Sequence, residues 1–572
     1  NNSFQLFAQI NDKTTFESIT SKIKDIGKKH YPQSKPEYFL QPMKKWHLYS
    51  EFKNGVNVGG RIQYVWMFGI IGVFVLLLAC INFMNLSTAR SEKRAKEVGI
   101  RKASGSVRGQ LITQFFIESL SVVIFAFLLS IFLVELSLPF FNEVADKKIA
   151  IPWSSPLFWL IGLSFSLLTT LIAGSYPAFY LSSFQPVKVL KGAFRTGRFA
   201  AMPRKVLVVL QFTVSITLII GTIVVYRQIQ FAKNRSIGYS NAGLIQLGNT
   251  DAIKNSYSAF RDDLLKTGVV YEISESSSPT TGIWGNRDDF TWKGKDPQLL
   301  PLIGLVSCTH EFGKTIGWQI IEGRDFSRDF KTDSSAIILN EAAMKLIGSK
   351  NIMGKIITDE NNNRFHVVGV VKNLIMESPY AEIKPTFFAL GKDLRLVNIK
   401  LMPTVQISDA LSKIQKVFKA YNPGISFEYQ FGDKEYAKKF GDEERIGKLS
   451  TFFALLAIMI SCLGLFGLVS FVAEQRTMEI GIRKVLGANI RGIVALLSKD
   501  FLKLVTIAIV IASPIAWFIM NKWLQDFAYR ANISWWVFIV AGIVALLIAM
   551  LTVSFQAIKA AIANPVKSLR TE

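Results

Sequence analysis

Two nearly matching stretches carry the residues best placed to do chemistry in this chain. Glu97-Val98-Gly99-Ile100-Arg101-Lys102-Ala103-Ser104-Gly105 recurs as Glu479-Ile480-Gly481-Ile482-Arg483-Lys484-Val485-Leu486-Gly487. The chemistry they offer is ionic and conformational. On a helix Glu97 and Arg101 stand at i and i+4, as do Glu479 and Arg483, with Glu in the favourable N-terminal place. The pairs Arg101-Lys102 and Arg483-Lys484 fall in the last turn and complement the helix dipole. Gly105 and Gly487 suit a left-handed C-cap. Gly99 and Gly481 lie inside the helix, where Gly costs roughly 1 kcal/mol relative to Ala, so their recurrence points to close approach of another backbone. Val98, Ile100, Ile480 and Ile482 add apolar contacts, and Arg94 and Arg476 match at the same offset. A membrane protein's bias toward basic cytoplasmic loops accounts for Lys and Arg in bulk. It does not account for the same Glu, Gly and Ile in both copies. These residues predict two helices that dock a cytoplasmic partner.

Each copy follows one long apolar run and precedes another. The 572 residues are 50% hydrophobic with a mean hydropathy of +0.30, and the apolar residues gather in runs of about 20, the length that crosses a bilayer. Seven runs are visible: Tyr64–Leu86, Ser119–Leu138, Pro156–Tyr180, Val206–Tyr226, Leu449–Val472, Phe501–Leu524 and Trp535–Phe555. Buried core helices are seldom so long and so uniformly apolar. A net charge of +24 would suit a nucleic-acid partner in a soluble protein. Here the basic residues cluster in Arg90–Arg108, Lys188–Lys205, Arg476–Lys499 and Lys559–Arg570, which are alternate loops. That placement makes those loops cytoplasmic, with membrane lipids and not nucleic acid as the surroundings. Asn1–Arg61 and Gln228–Lys448 then lie outside.

No Gly-x-x-x-x-Gly-Lys-Ser/Thr, His-Glu-x-x-His or Gly-x-Ser-x-Gly motif is present, so no ATP site, zinc site or serine nucleophile is expected. Cys80, Cys308 and Cys462 form no disulfide framework. His30, His47, His310 and His366 have no metal spacing. Within the apolar runs only Glu135 and Lys503 approach intramembrane positions. That scarcity argues against an ion pump or a polar path through the helices. Glu118 and Asp500 match between halves near the start of the following run.

A longer repeat frames these elements. Ser175-Tyr-Pro-Ala-Phe-Tyr…Pro186-Val-Lys-Val-Leu190 parallels Ser554-Phe-Gln-Ala-Ile-Lys…Pro565-Val-Lys-Ser-Leu569. The chain reads as residues 1–63, the end of a first external domain; 64–202, a first membrane unit with its charged helix near 92–105; 203–227, the first helix of a second unit; 228–448, a second external domain; and 449–572, the second membrane unit with its charged helix near 474–487. The external segment mixes strand-like runs, Ala336–Asn340 and Phe365–Val371, with helical ones, Asn340–Ile347 and Ile407–Tyr421, and predicts an α+β domain. Tyr226–Asn234 and Asp433–Lys448 are charged and helical in pattern, and read as stalks that extend the membrane helices. The chain opens in polar sequence without Met or a signal peptide, so an upstream transmembrane helix, the eighth, is expected together with the front of the first external domain.

The block Ser91–Gly105, its copy Glu474–Ala488, and Gly323-Arg-Asp-Phe326, Ile338-Leu-Asn-Glu341 and Val367-Val-Gly-Val-Val-Lys372 resemble the MacB/FtsX-like permease family of ABC transporters over nearly the whole chain. Single-unit members have four helices and dimerise; this chain fuses two units. The resemblance implies a polytopic α-helical membrane protein of type VII ABC permease architecture, with periplasmic α+β domains, in the bacterial inner membrane. It implies a chain without catalysis or cofactor of its own, ATP and Mg being held by a separate cytoplasmic ABC ATPase, in two copies. Those subunits would grip Arg94–Gly105 and Arg476–Gly487 and drive mechanotransmission: work outside the membrane with fuel burned inside. Two functions fit. One is export of peptides, antibiotics or lipophilic cargo with a periplasmic adaptor and outer-membrane channel. The other is regulation of a cell-wall hydrolase or of an antimicrobial-peptide response.

Overall fold

The computed structural model describes residues 6–30, 37–53, 55–182 and 202–562. The basic stretch Lys188–Leu190 and the tail from Pro565 onward lie outside the described residues. Seven of the described helices are long and apolar enough to cross a membrane. They are α1 (Ile62–Ala103), α2 (Arg108–Ala145), α3 (Pro156–Ser182), α4 (Met202–Lys233), α7 (Gly441–Gln475), α9 (Ile490–Leu524) and α10 (Trp536–Ile562). Each covers one of the apolar runs, the last short only of Trp535. Apolar side chains cover these helices on nearly every face, as lipid contact requires. Exposed Trp66, Trp153, Trp159, Trp535 and Trp536 all fall at ends facing the external domain, where an aromatic belt belongs.

The second unit has the tighter bundle. Val208, Phe212, Ile216 and Ile220 of α4 pack with Leu465 and Val469 of α7 and with Val505, Ala508, Ala512 and Ala516 of α9. Ala541, Ala545 and Ala549 of α10 complete that core. The alanines recur every four residues and bring backbones close, the usual way membrane helices associate. Ser215 and Ser461 hydroxyls meet at 2.8 Å between α4 and α7. The units join where Asn82 of α1 donates to the carbonyl of Ile460 in α7.

Between α4 and α7 stands an α+β domain. Its strands run in spatial order Tyr429–Phe431, Leu244–Gly248, Leu396–Leu401, Val270–Ser276, Ile303–Cys308, Thr386–Leu390, Ala336–Asn340, Arg364–Val371, Ile356–Thr358 and Thr291–Trp292. The sheet is nearly severed in the middle, where the only registered pair between Val270–Ser276 and Ile303–Cys308 is Ser276 with Cys308. Two lobes result. One closes α5 (Tyr257–Lys266) and α6 (Ile407–Tyr421) over Ile245, Ile273 and Ile399. The other packs Val306, Phe312, Trp318, Ile338 and Phe388. Ala336–Asn340 lies parallel to Arg364–Val371, and Asn340 caps the helix Glu341–Ile347 by accepting from the Ala343 amide at 2.9 Å.

The stalks are present, with one difference. α4 runs unbroken to Lys233, whose ammonium pairs with Glu444 at the start of α7. On the other side Gly432–Lys438 is a separate helix, and the turn at Lys439–Phe440 precedes α7. Ala232, Ile375, Tyr380, Tyr436 and Phe440 bury together there, with Phe527 from the α9–α10 connection against them. Ala528 donates its amide to the Tyr380 carbonyl at 3.1 Å. Arg235 donates to the Pro379 carbonyl at 2.6 Å and lies 3.5 Å over the Tyr529 ring. The external domain is thus tied both to its own stalk and to the far end of α9.

Candidate functional site

The two repeated blocks take the same local geometry. Arg101 pairs with Glu97 at 2.8 Å and Arg483 with Glu479 at 2.9 Å, each across one helical turn. Both pairs are exposed and contribute a few tenths of a kcal/mol each, roughly 0.3–0.5. The ends match bond for bond. Gly105 donates to the Lys102 carbonyl at 3.1 Å and Ser106 to that of Arg101 at 3.0 Å. Gly487 donates to Lys484 at 3.1 Å and Ala488 to Arg483 at 2.9 Å. This is the paired left-handed cap, and it needs Gly because φ is +99° at Gly105 and +87° at Gly487.

The elements that carry the two blocks differ. A short separate helix was expected in both. In the first copy none exists: α1 continues for 42 residues from Ile62 to Ala103, through the whole of 92–103. In the second copy a turn at Arg476 separates α7 from α8 (Thr477–Val485). A local difference lies at this point: the Thr477 hydroxyl donates to the carbonyls of Ala473 at 3.1 Å and Glu474 at 2.6 Å, bonds of the kind that bend helices. The matching residue in the first copy is Ala95, the best helix former.

One face of each block is pinned. Val98 is buried with Leu111, Phe115 and Ala178. Ile480 is buried with Ile493, Leu497 and Ala557, the residues at the matching places. Gly99 and Gly481 are buried as well. The opposite face carries the Glu–Arg pair together with exposed Ile100 or Ile482. Further polar contacts hold the first copy. Arg101 donates to Gln114, whose amide donates to Glu118 at 3.1 Å, and Lys102 donates to the Ser182 carbonyl at 2.7 Å. In the second copy Arg476 lies 3.6 Å from Asp500. The backbone of Arg94 is helical; its side chain lies outside the described residues. Sequence reasoning singled out Glu118 and Asp500 but missed Gln114 and Ser182. The spacing of Gln114 to Glu118, four apart on one helix, was the available signal.

The outward faces are not equal. Val485 and Leu486 are 67% and 80% exposed, where the first copy has Ala103 and Ser104. Among the described residues no group of three or more His, Cys, Asp or Glu is placed to hold a metal ion.

Comparison with known proteins agrees with this layout. The family described as FtsX-like permease C-terminal matches residues 69–186 and again 451–565, one match over each repeated block. The MacB-like periplasmic core domain matches residues 206–417. An uncharacterized ABC transporter permease, YknZ of Bacillus subtilis (strain 168), is 31% identical over 22% of this chain and 30% of its own length. A macrolide export ATP-binding/permease protein MacB of Bdellovibrio bacteriovorus is 32% identical over 21% of this chain and 18% of its own length. The chain therefore spans less than a third of these curated relatives. Among solved structures, the periplasmic region of MacB from Actinobacillus actinomycetemcomitans aligns over 35% of this chain and 93% of that one, at 15% identity and a TM-score of 0.27. The extracellular domain of YknZ aligns over 32% of this chain and 88% of that one, at 18% identity and a TM-score of 0.24.

Proposed function

The chain belongs to the MacB/FtsX-like ABC permeases, a multi-pass membrane family, and from that premise we propose that it couples ATP hydrolysis by cytoplasmic ABC ATPase subunits to movement of its external domain. One observation carries the reading: two charged helix ends with the same ion pair, the same cap and the same buried apolar peg. A lever has to be gripped from outside while remaining rigid against the membrane helices, and this design supplies both. Glu97, Arg101 and Ile100, with Glu479, Arg483 and Ile482, face the partner; Val98 and Ile480 transmit its displacement to α2 and α9. ATP and Mg stay on the ATPase, one subunit for each block. The α4 and α7 stalks and the Tyr380–Phe440–Phe527 cluster carry motion outward. The location is the bacterial inner membrane. The relatives named for macrolide export support a transport role, in which amphiphilic cargo is taken up outside the membrane and passed to an adaptor and an outer-membrane channel.

The test is the double variant Glu97→Lys with Glu479→Lys, reconstituted with its ATPase. Each substitution replaces an exposed ion pair with two like charges without touching the buried pegs, so insertion into the membrane stays at the wild-type level. The ATPase no longer co-purifies and permease-dependent stimulation disappears. Normal association and stimulation in that variant rule out these helices as the docking sites.

A further inference from the structure

A groove of ≈ 1030 Å³ opens between α9 and α10 of the second unit. Its wall on α9 carries Arg491, Lys499 and Lys503, and the α10 wall includes Met550 and Ser554. Arg491, Lys499 and Lys503 are all exposed, and among the described residues none has an ion-pair partner. At its back Ser498 is buried, 5% exposed, and its hydroxyl oxygen has no hydrogen-bond partner among the described residues.

Depth in the membrane indicates what the groove would hold. Helix α9 has 35 residues, about 52 Å at 1.5 Å each, against a hydrocarbon core of about 30 Å. Counting about 20 residues back from Leu524 at the outer end reaches Leu504. Lys503 therefore sits at the inner headgroup border, with Lys499 and Arg491 one and three turns beyond it. The same count along α10, from Trp536, leaves Met550 in the hydrocarbon and Ser554 near the border. The groove is apolar below this line and triply cationic above it. A soluble anion would use the cationic part and leave the apolar part wet; a lipid with an anionic headgroup uses both.

We propose that this groove binds one anionic phospholipid of the inner leaflet, its phosphate held by Lys499 and Lys503, its acyl chain along Ile507 and Met550. Basic grooves between membrane helices on the cytoplasmic side suit such headgroups. The first unit has a groove at the matching place, ≈ 660 Å³ and lined by Gly109, Thr113, Ile117 and Glu118, but without these cations: Gly109, Phe116, Ile117 and Ser121 stand where the second has Arg491, Ser498, Lys499 and Lys503. The lipid would brace α9 just beyond α8, on one side of the molecule only. The proposal rests on the membrane sidedness read above and is independent of ATPase docking.

The test is native mass spectrometry of the full chain released from nanodiscs of phosphatidylcholine doped with the anionic lipid phosphatidylglycerol. Wild type retains one phosphatidylglycerol per chain. Lys499→Gln with Lys503→Gln lowers the affinity about thirty-fold, and Lys499→Arg with Lys503→Arg restores it. Lys147→Gln with Lys148→Gln, on the α2–α3 connection, leaves retention unchanged. Equal thermal stability of all variants in pure phosphatidylcholine separates lost binding from lost folding. Undiminished retention in the glutamine variant overturns the proposal. So does displacement of the lipid by millimolar inorganic phosphate, which would make this a small-anion site.

Discussion

Arg324 shows how much a single residue can hold. Its two terminal nitrogens donate to both carboxylate oxygens of Asp333, at 2.7 and 2.6 Å, and Ser327 adds its amide at 2.9 Å. The guanidinium also stacks 3.9 Å from the Phe330 ring. Gly323, just before it, has φ +78°, and a Cβ there would lie 2.3 Å from the Val368 carbonyl oxygen. The Gly-Arg-Asp-Phe signature is therefore a structural clamp on the Asp325–Ser335 loop. The Arg324 hydrogen bonds hold the Asp333 carboxyl below its ordinary pKa. A depressed carboxyl stabilises the fold at pH values above its unfolded pKa, near 3.9, and that contribution fades as pH falls through the lower folded value. Asp333→Asn is expected to cost about 2 kcal/mol, below the usual 3–5 for breaking a buried pair because Arg324 keeps solvent access. Chemical denaturation of the full chain in detergent measures this at neutral pH. The gap between variant and wild type should narrow as pH falls below the ordinary carboxylate range and the wild-type carboxyl takes up its proton. A gap unchanged over that range would mean that the pair's charge contributes nothing.

At the scale of elements, what could be read from sequence follows from the range of the forces involved. The seven membrane helices were legible because about 20 apolar residues in a row have one low-energy arrangement in a bilayer. The strand Ala336–Asn340 and the helix Ile407–Tyr421 were legible from local pattern and appear with those bounds. The division of the external domain into two lobes was not. It depends on one registered pair, Ser276 with Cys308, between strands distant in sequence, and no local periodicity records such pairing. The Glu–Arg spacing and the glycine caps were legible in both blocks. The repeat does not reveal that α1 runs unbroken through the first block while α7 ends before the second, a difference we assign to Ala95 against Thr477. That attribution is testable. With spin labels at Ser470 and Val485, Thr477→Ala should move the label separation toward about 22 Å, the span of fifteen residues of straight helix, and narrow its distribution. An unchanged distribution would assign the break to tertiary packing. A second element-scale test concerns the outer junction. Arg235→Ala removes the donor to Pro379 and the cation over Tyr529. Hydrogen exchange at the Ala528 amide should then rise about tenfold, as expected when one hydrogen bond and one cation–π contact leave a locally opening segment.

At the scale of the whole molecule, duplication inside one chain has allowed the two sides to diverge. A homodimer must present the same docking face twice; this chain need not. On the first side the charged block is the end of a 42-residue rod, and its outward face is Ile100, Ala103 and Ser104. On the second side the block is a nine-residue helix, set off by a turn, and it offers Ile482, Val485 and Leu486. Burying a Val or Leu side chain against a partner contributes roughly 1.5–3 kcal/mol each. Part of that gain is offset by the ordering of the joint at Arg476 when α8 is fixed. The second side should nevertheless bind an ATPase more tightly, and the first should transmit its displacement more stiffly. Val485→Ala with Leu486→Ser, which gives the second block the first block's face, is predicted to weaken one of two binding events by about tenfold to a hundredfold and leave the other unchanged. The reciprocal Ala103→Val with Ser104→Leu should strengthen the weaker event. Titration of the ATPase onto the permease in nanodiscs, with stoichiometry followed by native mass spectrometry, resolves the two events. Two identical affinities in wild type, or a loss shared equally by both in the variant, would show that the exposed residues of α8 do not set the grip and that the two halves work as equivalent levers despite their different sequences.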